Sequence, residues 1–192
     1  MQIFEGGQVS REPLVFMDPQ RYDGLMRRSP LMYASQSRPV LPLPSFEKPL
    51  KLLLVVAHDP DALGAVMVEA AQALLAQVGA GVEVIEMPSV LELAAAIALA
   101  ERMARFDGYV ALGCVLRDDP QGDSLLREPA AAITLLGLQG AAVGNGVVWA
   151  QDSAQAAGFV AAKAAQAAAA ALHLIALSRK WASDTKGIGF RP

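Results

Sequence analysis

The sequence predicts an α/β fold, a three-layer sandwich built on one four-stranded, mostly parallel sheet. Two observations predict it. From Lys51 onward, short apolar runs alternate with longer stretches of helical period. That order belongs to a parallel sheet covered by helices on both faces. The runs are also apolar throughout rather than alternating, as strands buried on both faces require.

Each element has its own justification. Leu52–Ala57 is a continuous apolar run and reads as the first strand. Asp59-Pro60-Asp61 is a turn and helix start, because proline is tolerated in a first helical turn. Leu63, Val66, Met67, Ala70 and Leu74 follow helical spacing, and Gly79 and Gly81 end that helix. Val82–Met87 is the second strand, Pro88-Ser89 a turn, and Leu91–Arg105 the second helix. Tyr109–Val115 is the third strand, followed by a loop over 116–123. A third helix is expected over 124–139, with Pro129 disturbing its start. Ala141–Val148 is a glycine-containing fourth strand. Asp152 then caps one long alanine-rich helix running toward Trp181.

Residues 1–50 differ from the rest. They hold Pro13, Pro19, Pro30, Pro39, Pro42, Pro44 and Pro49 and no long apolar period. They read as an arm before a domain over 51–181, with a tail over 182–192. Two apolar clusters, Leu14–Met17 and Leu25-Met26 with Leu31–Tyr33, suit docking on a protein partner. A simple extension is the alternative.

Composition sets further bounds. The 192 residues are 54% hydrophobic and 18% charged. So apolar a chain of this length is expected to hide surface in an oligomer as well as in its own core. The net charge of −3 offers no strong field for nucleic acid or an anionic membrane. A single cysteine, Cys114, rules out an internal disulfide framework and suits a reducing cytoplasm. The segment Met1–Gly7 lacks a basic start followed by an apolar run, so no secretory signal is expected. Phe159–Leu177 is the most membrane-like stretch. Its alanines and its Lys163, Gln166 and His173 favour a buried helix instead. Neither a cofactor nor a metal is expected.

Ligands of open α/β sheets bind at the carboxyl ends of the strands. Four segments qualify: His58–Asp61, Pro88–Glu92, Arg117–Asp123 and Asn145–Asp152. Three strings in order carry a resemblance: Phe106–Val115 (FDGYVALGCV), Gly144-Asn145-Gly146, and Ile175–Lys180 (IALSRK). Over residues 50 to 181 the chain resembles the 6,7-dimethyl-8-ribityllumazine synthase family, closest to its proteobacterial type. The resemblance implies a flavodoxin-like fold, a homopentamer and a possible sixty-subunit shell. It also implies a reaction. That family joins a ribitylamino-pyrimidinedione to a four-carbon dihydroxybutanone phosphate and releases phosphate.

The family's site positions map onto this chain unevenly. The stacking ring after the first strand falls at His58 and Asp59, which are substrate-binding candidates; His58 could substitute for the ring or serve as a structural turn residue. Leu91 and Glu92 match the substrate turn, although Ser89 and Val90 add bulk there. Glu92 also suits a first helical turn for dipole reasons alone. Asn145 is a further substrate-binding candidate. Arg117 and Lys163 are the phosphate-binding candidates. The rest of that loop reads Asp118-Asp119-Pro120-Gln121-Gly122, with Gly122 where the family has its proton-transferring histidine. A further family arginine falls at Phe159. Two adjacent carboxylates oppose a phosphate, and one misplaced unit charge at close range costs about 4 kcal/mol.

These losses suggest a divergent lumazine synthase-like protein that serves as a noncatalytic structural or assembly subunit. The alternatives are an active synthase of riboflavin biosynthesis with an altered pocket, and a flavin- or lumazine-binding module.

Overall fold

A computed structural model describes residues 41–58, 62–117 and 122–185. The arm's residues 1–40, the turn residues Asp59–Asp61, the loop 118–121 and the tail from 186 lie outside the described residues.

Four strands form one all-parallel sheet: β1 (Lys51–Ala57), β2 (Gly81–Met87), β3 (Gly108–Leu116) and β4 (Val143–Ala150). Their spatial order is β2-β1-β3-β4, so all four carboxyl ends lie along one edge of the molecule. The helices are α1 (Leu63–Ala76), α2 (Leu93–Met103), α3 (Gly122–Leu138), α4 (Ser153–Ala157) and α5 (Val160–Thr185). The fold is the expected α/β three-layer sandwich.

Side-chain alternation along β1 divides the core. Leu52, Leu54 and Val56 point to one face and pack with Met67, Ala71 and Leu75 of α1 and with the inner stripe of α5. Leu53, Val55 and Ala57 point to the other, against Leu93 and Ile97 of α2 and Ile133 and Leu136 of α3. Full burial of one such leucine stabilises by about 1.5–3 kcal/mol. The core also takes in residues before the first strand. Leu50 is buried, and Leu43 and Phe46 pack on the α1/α5 side.

Helix α5 lies unusually close to the sheet. Ala164, Ala167, Ala168, Ala171, Leu172 and Ile175 form its buried stripe. A Cβ built on Gly144 would fall only 1.9 Å from the Ala167 carbonyl oxygen. Gly144 therefore leaves room for the helix backbone itself. Although α5 is long and apolar enough to cross a membrane, this stripe makes it a core helix.

The boundaries depart from expectation in physically clear ways. The expected single helix after β4 is two. Asp152 caps only α4, accepting from the Gln155 N–H at 2.7 Å. The chain then turns at Gly158, and Phe159 packs into the core before α5 begins. Glycine weakens a helix interior, and burial of the Phe159 ring favours the break. The last helix also continues to Thr185, beyond the expected tail boundary. Helix α1 starts at Leu63, after Ala62 in the left-handed region at φ 59°, and has no side-chain cap. Helix α3 starts at Gly122 and carries Pro129 inside it.

Candidate functional site

The carboxyl edge of the sheet brings several candidates together. Because β1 lies between β2 and β3, His58 stands between the turn bearing Glu92 and the turn bearing Arg117. Adjacent strands lie about 4.8 Å apart, so these three strand ends can contact one small ligand. The backbone N–H of His58 donates to the Met87 carbonyl at 2.7 Å, one residue past the last β1/β2 pair. Its imidazole Nδ1 lies 2.6 Å from Glu86 Oε1. Both side chains remain mostly open to solvent.

Residues Val90–Glu92 form a single 3₁₀ turn leading into α2. Ser89 caps it, its Oγ accepting from the Leu91 N–H at 3.1 Å. That gives Ser89 a structural reason of its own. Val90 turns inward and is buried. A Cβ on Gly113 would lie 2.6 Å from Val90 Cγ1, so the valine fills the space that glycine leaves on the sheet. The extra bulk expected to crowd a ligand is absorbed by the core. Leu91 and Glu92 are the exposed members of the turn.

Arg117 follows β3 directly. Its N–H donates to the Ala150 carbonyl at 3.0 Å, and its side chain is exposed. Lys163 lies in the first turn of α5, whose start follows the carboxyl end of β4. Its Nζ sits 3.4 Å from Gln166 Oε1, a long and weak contact. Asp59 and the loop 118–121 are outside the described residues. Gly122 is the first residue of α3.

Asn145 stands apart from this group. It is the third residue of β4, paired with Ala111 in mid-sheet. Five residues separate it from Ala150, about 16 Å at roughly 3.3 Å per residue. Its Oδ1 accepts from the Val147 N–H at 2.9 Å. The asparagine thus covers backbone on an edge strand, where unpaired N–H groups invite further strands.

Glu86, the partner of His58, is a candidate that the sequence alone does not single out. Its signal was register: Val56 pairs with Glu86, so Glu86 shares a sheet face and a neighbourhood with His58.

From the β2 end of this edge, an apolar groove of about 540 Å³ runs between α2 and the β2 side of the sheet. Ile85, Met87, Leu99, Met103 and Phe106 line it, with Glu92 at its margin. It has no cationic lining residue and few polar groups. It suits protein contact better than a phosphorylated substrate. At the amino end of β3, Tyr109 is buried, its hydroxyl without a partner in full hydrogen-bond geometry. Burial, and next the Glu101 carboxylate nearby, hold that phenol protonated well above the ordinary range.

Comparison with known proteins decides the family. The family model described as 6,7-dimethyl-8-ribityllumazine synthase matches residues 49–179. The chain belongs to the lumazine synthase family. It is similar to 6,7-dimethyl-8-ribityllumazine synthase of Jannaschia sp. (strain CCS1), 41% identical over 157 residues, covering 79% of this chain and 88% of that protein. It is likewise similar to the protein of that name from Novosphingobium aromaticivorans, 40% identical over 138 residues, covering 68% of this chain and 98% of the relative. The matched span contains the whole sheet, the three strand ends of the candidate site and α5 as far as residue 179.

Proposed function

We propose that this chain is an active 6,7-dimethyl-8-ribityllumazine synthase with an altered pocket, soluble and assembled as a homo-oligomer. One observation carries the reading: the turns bearing His58, Glu92 and Arg117 follow the carboxyl ends of three adjacent parallel strands. They offer the reaction an imidazole, an acceptor for ribityl hydroxyls and a cation for phosphate.

Magnitudes favour activity over its loss. The reaction joins two molecules, and holding both in place can supply about 7–11 kcal/mol of the barrier. A missing acid–base group costs about 10²–10⁴-fold, or about 3–5 kcal/mol. The proximity term is the larger, so a slower synthase follows rather than a dead one. The inward-turned Val90 also leaves the substrate turn open.

The second reading is the noncatalytic assembly subunit. It is favoured by Gly122, which cannot transfer a proton from the family's histidine position.

The oligomer reading rests on two unlike apolar patches. Leu91, Leu99 and Met103 are exposed beside β2, with Met103 at 83%. Leu135, Leu138 and Trp149 are exposed beside β4, with Leu138 at 80%. These patches sit at opposite ends of the strand order. Two unlike patches on one chain suit head-to-tail contacts, which form a ring when the rotation between subunits closes. A homopentamer satisfies that geometry. The test is lumazine formation by the purified oligomer, measured beside its mass.

A further inference from the structure

Two independent restraints act on His58. Its backbone is tied to Met87, and its ring to Glu86 through Nδ1 at 2.6 Å. Glu86 reaches it from the α1/α5 face of β2, the face that Val82 also occupies. An exposed pair of this kind adds little to stability. Its physical effect is therefore mainly orientation. A carboxylate on Nδ1 selects the tautomer protonated there and leaves the Nε2 lone pair as the acceptor.

The position suits that effect. The chain has two histidines, and His173 lies midway along α5, half-buried and far from the carboxyl edge. Among the described residues, His58 is the imidazole at the edge where Glu92 and Arg117 stand. The family's own histidine position is the glycine that opens α3.

We infer that His58, oriented by Glu86, is the proton-transfer group of this site. The inference rests on the synthase reading above. In the elimination that releases phosphate, Nε2 takes the proton from the carbon next to the one bearing the phosphate. That C–H electron pair becomes the new C=C bond. The C–O bond breaks, its pair leaves on the phosphate, and the imidazolium returns its proton to water. His58 is the catalytic residue here and Glu86 the positioning residue.

Steady-state lumazine formation by wild-type protein, H58A and E86Q tests this, with assembly mass and circular dichroism as controls for folding. Wild-type turnover is expected. H58A should lose about 100-fold or more in kcat, with KM changed less than about threefold, and added imidazole should restore part of the loss. E86Q should fall between the two and gain nothing from imidazole. It should also alter the tautomer signature of the His58 nitrogens in ¹⁵N spectra. If the wild type turns over and H58A keeps kcat within about twofold, the inference fails while the synthase reading stands. If the wild type gives no turnover, both fail.

Discussion

Val90 and Gly113 show how a residue that looks disruptive in sequence is accommodated in three dimensions. The valine occupies the volume above a glycine on the central strand, so each residue has meaning through the other. Gly113→Ala should therefore cost about 1–3 kcal/mol through overpacking. Adding Val90→Ala should recover part of that, and a double-mutant cycle in urea should give a coupling of about 0.5–3 kcal/mol. Strict additivity would contradict the contact. Tyr109 makes a second point. A buried hydroxyl without a full hydrogen bond costs about 1–3 kcal/mol, so with Glu101 only nearby Tyr109→Phe should be neutral or stabilising. The phenol's pKa is raised on folding. Its contribution is thus fully present below the unfolded value near 10 and falls as pH climbs toward the folded value. Urea unfolding at several alkaline pH values should show this decline in the wild type and a smaller one in Tyr109→Phe. A large loss of stability in the variant at neutral pH would mean that the hydroxyl is properly bonded.

At the scale of elements, the strands were legible because each is a continuous apolar run bounded by turn residues. Order and parallel pairing followed from their alternation with helices. Other features were hidden for physical reasons. The break between α4 and α5 is obscured because alanine favours helix on both sides of Gly158, and an Asp152 cap fits a short helix as well as a long one. The His58–Glu86 pair depends on strand register, which one strand's composition does not reveal. Conversely, the carboxyl-edge positions of His58, Glu92 and Arg117 followed directly from where their strands end, whereas Asn145 lies inside β4. The close approach of α5 to β4 yields an element-scale prediction. Gly144→Ala places a methyl against helix backbone that has no side chain to move. It should cost about 3 kcal/mol or more, read as a large fall in urea midpoint. Tolerance of alanine there would mean that α5 sits farther from the sheet.

At the scale of the whole molecule, the ring reading is testable with two charge variants. Met103→Glu spoils the patch beside β2, and Leu138→Glu spoils the patch beside β4. Each variant alone should dissociate toward the 20.2 kDa chain. Mixed together, they retain one intact head-to-tail contact, so light scattering should report a heterodimer of twice that mass. Two variants that stay monomeric when mixed would favour an interface using the same patch on both subunits.

The central claim is that a rebuilt carboxyl edge still performs the family's condensation. It is tested most directly by following lumazine formation from the ribitylamino-pyrimidinedione and the four-carbon phosphate, with and without the purified oligomer at neutral pH. The account predicts a rate clearly above the uncatalysed reaction, saturable in both substrates. A rate equal to the uncatalysed one, from protein shown to be folded and assembled, would contradict it and leave the assembly role as the function of this chain.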